Sequence, residues 1–213
     1  MKILCISDKV EDLVYSTRAK DRFEDIDLVI SCGDLPYYYL EFITDALQKP
    51  VYYVRGNHAN KVEYSSAGPK TEPMGCIDLH RRVVNLGGLL VAGFGGSLRY
   101  KPGPFMYSQD QMWMQVLRMV PQLLLNRIRY GRYLDILVTH APPFEVQDRN
   151  DLPHQGFKAY RWFLNVFKPA LHFHGHIHLY ANNDPWMTTF GNTRVINAYG
   201  FREVVVETWI DYL

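Results

Sequence analysis

The chain has 213 residues, of which 47% are hydrophobic, and its 23 Lys+Arg nearly balance its 22 Asp+Glu. That length fits one domain, since domains usually run to about 50–250 residues, and so apolar a composition argues against disorder. The balanced charge argues against a dedicated nucleic-acid binder, which carries a basic excess or stripe, so no stable nucleic-acid binding is expected.

Residues 3–7 form an apolar run, predicted as a strand, that ends at Asp8. The run is too short for a secretory signal, whose apolar core needs about 7–15 residues. No segment approaches the roughly 18 apolar residues of a membrane span. The 3 cysteines form no paired motif, which suits a reducing compartment; a cytoplasmic protein with no membrane partner is expected. Residues 13–23 have helical composition, and residues 28–31 read as a second strand ending at Gly33-Asp34. Residues 40–47 read as a helix stopped by Lys49-Pro50, and residues 51–54 as a third strand running into Arg55-Gly56-Asn57-His58. Strands alternating with helices predict a mostly parallel sheet. Ligands bind at the carboxyl ends of such strands, where Asp8, Asp34 and Asn57-His58 fall.

Residues 60–80 are polar and rich in Gly and Pro, and are expected to form a surface excursion. Residues 82–86 and 89–92, separated by Gly87-Gly88, read as a hairpin. The following Gly93-Phe94-Gly95-Gly96-Ser97 lacks the lysine and spacing of a phosphate loop; a glycine-rich turn leading to the active face is expected. A helix is predicted over residues 108–130, with Pro121 kinking or breaking it. Its 112–120 segment is apolar nearly all round, which suits a core-packed helix, with an oligomerisation face as the alternative. Residues 134–139 then form a strand leading to His140-Ala141-Pro142-Pro143. The polar loop beyond holds Asp148 and His154, within reach of a substrate or simply on the surface. A helix is predicted over 156–167, and strands over 171–174, 194–198 and 204–208.

The strand at 171–174 runs into Gly175-His176-Ile177-His178. Alternate residues of an extended segment project to one side, so His176 and His178 can begin a metal site as neutral imidazoles. His172 and His174 lie inside the strand and read as core residues or as supports behind the ligands. Asp8, Asp34, Asn57, His140, His176 and His178 together make an oxygen-and-nitrogen donor set. It contains no thiolate, which argues against a structural cysteine-zinc site; Cys5 and Cys32 read as buried small hydrophobes. Such donors suit one or two divalent ions, with Mn²⁺ favoured and Fe or Zn²⁺ possible. A carboxylate such as Asp34 can bridge two cations about 3.5–4 Å apart, which then clamp a phosphoryl oxygen and generate a hydroxide nucleophile.

The ordered series Asp8, Gly33-Asp34, Gly56-Asn57-His58, Thr139-His140 and Gly175-His176-Ile177-His178 resembles the calcineurin-like metallophosphoesterases. The segments Ala92–Ser97 and Thr139–Pro143 resemble accessory motifs of the same family. The resemblance implies an α/β fold, a four-layer αββα sandwich of two mixed sheets flanked by helices. It implies that Asp34 bridges two metals, that Asn57, His140 and His176 hold one ion, and that Asp8 and His178 hold the other. A metal-bound hydroxide would attack phosphorus, with His58 as the catalytic acid or charge stabiliser. The substrate class implied is a small phosphorylated molecule, with a diester somewhat favoured from Thr139-His140-Ala141-Pro142-Pro143.

Two positions depart from the family. Val10 stands where an Asp-x-His motif would place its histidine, and Ala59 follows His58 where an acid is usual. Val10 leaves three outcomes open: water replaces the imidazole, or the second metal arrives only with substrate, or catalysis is lost. The last would make the protein an interaction scaffold, which the family also includes.

Overall fold

The computed structural model describes residues 1–66, 68–181 and 184–206. In chain order its main elements are β1 (Lys2–Ser7), α1 (Ala19–Arg22), β2 (Leu28–Ser31), α2 (Tyr37–Leu47), β3 (Val51–Tyr53), β4 (Cys76–Asp78), β5 (Val83–Leu86) and β6 (Leu89–Phe94). After these come α3 (Gln109–Tyr130), β7 (Ile136–Thr139), α4 (Lys158–Phe167), β8 (Leu171–His174), β9 (Met187–Phe190), β10 (Thr193–Asn197) and β11 (Gly200–Val205).

The central strands are buried on both faces, and their alternation sorts side chains into separate cores. Along β1, Ile3 and Cys5 point into one cluster with Val91, Ile136, Val138 and Phe173, which joins the two sheets. Leu4 and Ile6 point the other way, against Ala19 of α1 and Tyr39, Leu40 and Ile43 of α2. A third cluster packs Ala92 and Leu137 against Met112 and Val116 of α3 and Phe163 of α4. Helices, sheet, sheet and helices therefore stack as the four expected layers.

The first sheet runs β11-β1-β2-β3-β4 and the second β9-β10-β8-β7-β6-β5. Strands β1 to β4 are parallel, with β11 antiparallel beside β1. In the second sheet β10, β8, β7 and β6 are parallel, with antiparallel β9 and β5 at the edges. Each parallel group sends its carboxyl ends to one rim of its sheet.

Several sequence expectations shift. The helix expected over 13–23 contracts to Ala19–Arg22, which has no side-chain cap, while Glu11 takes up the Val14 and Tyr15 amides in a turn. The 60–80 excursion contains β4, a three-residue edge strand too short to show an alternation. Helix α3 continues through Pro121 without a break. Pro121 and Leu117 both face solvent, so the carbonyl deprived of its partner lies on the wet side of the helix. Within 112–120, Met112, Val116 and Met119 are buried while Met114 and Leu117 are exposed. The last predicted strand is β11, and residues 207–208 lie outside the described residues. Among the described residues no helix is long and apolar enough to cross a membrane.

Candidate metal centre

Every residue of the expected donor set follows the carboxyl end of a parallel strand. Asp8 follows β1, Asp34 follows β2, Asn57 and His58 follow β3, His140 follows β7, and His176 and His178 follow β8. Asp8, Asp34 and His176 have φ of 64°, 54° and 67°. The left-handed region costs a non-glycine residue about 1–3 kcal/mol and persists only where surroundings enforce it. Here a set of cross-bonds does so. Asp8 N–H donates to Gly33 O at 3.1 Å and Gly175 N–H to His140 O at 2.9 Å. His58 N–H donates to Asp34 Oδ1 at 2.8 Å and His176 N–H to Asp8 Oδ2 at 2.9 Å.

Two glycines permit this convergence. A Cβ on Gly56 would lie 2.0 Å from Asp34 Oδ1, and one on Gly175 would lie 1.9 Å from Ser7 Oγ. The glycine-rich turn after β6 serves the same end from behind. Gly96 N–H donates to Arg55 O at 2.7 Å, and a Cβ on Gly95 would sit 2.6 Å from that oxygen. The turn thus fixes the peptide that leads into Gly56-Asn57.

Asp34, His140 and His176 offer ligand atoms that all lie within 4.8 Å of one another. Asp34 Oδ2 is 3.1 Å from His140 Nε2, and Asn57 Oδ1 is 3.0 Å from the same nitrogen. Each imidazole is oriented by a backbone carbonyl on its far side. His140 donates from Nδ1 to Cys32 O at 2.8 Å, which presents Nε2 to the centre. His176 donates from Nε2 to Pro153 O at 2.7 Å, which presents Nδ1. This is how metal-ligating histidines are commonly held. Asn57 Nδ2 is buried without a hydrogen-bond partner among the described residues. A buried unpaired N–H is costly, and here the amide is spent on aiming its oxygen at the centre.

The electrostatics agree. Burial raises the Asp34 carboxyl, but the His140 charge and hydrogen bond and the His58 amide outweigh it and bring its pKa to about 2. Burial lowers His140, yet Asp34 carries it up to about 9. His176 is lowered to about 4 by burial and then by the charge of His140. Without metal, therefore, a proton on His140 balances Asp34, while His176 keeps its lone pair. A divalent cation held by Asp34, His140 and His176 would take the place of that proton. Oxygen and nitrogen donors, a preset tautomer at each imidazole and a deprotonated carboxylate all fit a divalent ion.

The other half is looser. His178 Nε2 lies 3.7 Å from Asp8 Oδ1, with the His178 side chain 41% exposed and that of Asp8 2%. His178 Nδ1 is 3.0 Å from the Tyr180 hydroxyl, and its ring packs against Tyr199 with centroids 4.7 Å apart. Val10 packs on the outer core with Leu4 and Ile6 and offers no donor. Lys9 pairs with Glu11 at 2.9 Å.

His58 lies exposed at the margin of the centre, and Ala59 beside it supplies no carboxylate. His172 and His174 stay in the core, on Thr139 Oγ1 and Gln147 Oε1 at 2.8 Å each. The loop after His140 also backs the ligands, and its His154 ring lies 5.4 Å from that of His176 between centroids. Asp148 Oδ2 accepts from Gly156 N–H at 2.9 Å, and Arg149 Nη2 donates to His178 O at 2.8 Å. Sequence reasoning missed Cys32 O and Pro153 O, because backbone carbonyls at a turn leave no residue-type signal.

A family model for calcineurin-like phosphoesterases matches residues 1–180. One crystal structure superposes with a TM-score of 0.63 at 16% identity, over 93% of this chain and 90% of its own. The protein TT1561 of Thermus thermophilus superposes with a TM-score of 0.60 at 17% identity, over 93% and 89%. At these identities the likeness is one of fold. No curated protein matches in sequence.

Proposed function

Because this chain belongs to the calcineurin-like phosphoesterase family, we propose that it hydrolyses a phosphoester, a diester ahead of a monoester, at the centre around Asp34. The observation that carries this reading is the convergence of Asp34, His140 and His176 ligand atoms within 4.8 Å. With Asn57 they would hold one divalent ion, for which we favour Mn²⁺. Asp8 and His178, together with Asp34, would hold a second one more weakly. Bound there, such ions supply Lewis acidity toward a phosphoryl oxygen and activate water near neutral pH.

The chain's own residues then divide the work. His140 yields its Nε2 proton on loading and keeps Nδ1–H on the Cys32 carbonyl. Asp34 stays ionised across the whole neutral range. His58, tied to Asp34 through its backbone amide, donates a proton to the leaving oxygen as the P–O bond breaks. A cytoplasmic setting suits the free Cys5, Cys32 and Cys76.

The scaffold reading is favoured by one observation, the packing of Val10 against the outer core, where the second ion would need a donor. Exposed Met114 and Leu117 on α3 would then offer a contact surface, to a partner or to a second copy. Purified protein with added Mn²⁺ separates the two readings. Hydrolysis of aryl phosphodiesters, abolished by His58→Ala, supports the enzyme. No hydrolysis of aryl mono- or diesters, with less than one equivalent of metal bound, supports the scaffold.

A further inference from the structure

Beside the centre lies a cavity of about 450 Å³ that is lined by both Asp34 and His58. The rest of its lining includes Leu35, Tyr38, Val62 and Tyr64, with Glu63, and no Lys or Arg among the described residues. Tyr38 is 53% and Tyr64 85% exposed, so two aromatic rings stand open to solvent next to the proton donor.

Both rings are mounted on anchored elements. Tyr38 sits in the first turn of α2, edge-on to Tyr15 with centroids 5.7 Å apart. Tyr64 belongs to a short ribbon, Glu63–Ser65 paired with Gly68–Lys70. That ribbon is tied to α2 twice, by Tyr37 N–H donating to Glu63 Oε2 at 2.9 Å and by Lys70 on Glu41 at 2.7 Å. The cavity offers little to hold a second anionic group. Besides the metal-ligand candidate Asp34 and the proton donor His58, its lining carries Glu63 and, among the described residues, holds no Lys or Arg that could pair with a second phosphate or carboxylate on the incoming group. The cavity beyond His178 differs in carrying both signs, with Lys9 and Arg202 beside Glu11 and Asp184.

The geometry points to a leaving-group pocket for an uncharged, ring-bearing alcohol, with Tyr38 and Tyr64 as its stacking residues. This rests on the phosphoesterase reading, because His58 is the residue that protonates the departing oxygen. Water adds its oxygen to phosphorus and loses one proton to solvent, the P–O bond to the organic group breaks, and the proton from His58, later restored from solvent, completes a neutral alcohol in the pocket. A nucleoside and a simple aryl alcohol share the chemistry that the pocket selects.

Binding to Mn²⁺-loaded His58→Ala protein, measured by calorimetry, tests this without turnover. Adenosine 5′-phosphate is compared with ribose 5-phosphate, and benzyl phosphate with ethyl phosphate. Aromatic stacking predicts roughly tenfold tighter binding of the ring-bearing member. A preference in both pairs identifies the ring alone as the determinant, and a preference confined to the first pair identifies a nucleoside. Adding Tyr64→Ala or Tyr38→Ala is expected to reduce the preference to under about threefold, with Tyr64→Phe retaining it. Affinities within about twofold in both pairs, no detectable binding of any of the four, or a preference indifferent to both tyrosines, overturns the pocket. Failure of the phosphoesterase reading registers separately, as absence of turnover by the unmodified protein.

Discussion

The Asp34 half of the centre and the Asp8 half use the same residue types, yet they are built to different standards. On the Asp34 side His140 is fully buried and His176 is 6% exposed, and each imidazole is turned by a backbone carbonyl behind it. On the Asp8 side His178 is 41% exposed and leans on Tyr180 and Tyr199, whose rings supply no carbonyl to set its tautomer. Burial and orientation, more than the list of ligands, separate a preorganised site from a permissive one. Val10 belongs to this contrast: it removes a donor from the half that was already the less constrained.

The largest effect should come from Asp34, the residue proposed to serve both halves. Asp34→Asn is expected to lower kcat by at least about 10³-fold and to remove both ions, read by steady-state kinetics and metal analysis together. Retention of one ion would show that the halves do not share Asp34.

His178→Ala separates them. It should weaken only the second ion, lowering activity by about 10–100-fold at low Mn²⁺ with recovery at high Mn²⁺. A metal titration of activity reads this, and a loss that no amount of Mn²⁺ restores would blur the distinction between the halves.

Proton exchange sharpens the comparison from the other side. His140 stands at about 9 and His176 at about 4, so near pH 7.5 loading the first site should release about one proton, from His140. Apparent affinity should then fall by about tenfold per pH unit below about 9. Calorimetry in buffers of different ionisation enthalpy measures the proton directly. In the metal-free protein the raised His140 contributes stability that is fully present below its ordinary 6.5 and lost as pH rises through about 9. The lowered Asp34 contributes stability present above its ordinary 3.8 and lost as pH falls through about 2.

The smallest effect expected is that of Arg149→Ala. Removing the donor to the His178 carbonyl should cost about 1 kcal/mol of local order, seen as a several-fold weaker second ion with the first unchanged.

Much of this design was legible in the residues. Strand ends at Ser7, Ser31, Tyr53, Thr139 and His174 follow from apolar runs stopped by Gly, Asp and His, and a parallel sheet brings such ends to one rim. The candidate donor set could therefore be named from its place along the chain. What spacing could not reveal is quality. Nothing in the sequence marks Cys32 and Pro153 as the carbonyls that orient His140 and His176, or Val10 as facing the outer core. The short β4 escaped for a related reason: three residues with Ile77 exposed carry too little pattern, and their pairing with β3 is a tertiary event. Helix α3 passed through Pro121 because its other turns, a capping box at Ser108 and a left-handed stop at Gly131 outweigh one missing hydrogen bond.

The asymmetry itself is most directly tested by counting metal in two ways. Protein loaded with Mn²⁺ is passed through a desalting column and analysed for bound ion, and the same protein is titrated at equilibrium with excess Mn²⁺. One equivalent retained after desalting, with a second appearing only at equilibrium, is the result expected of one tight half and one loose half. Two equivalents retained through the column, or none, would contradict it.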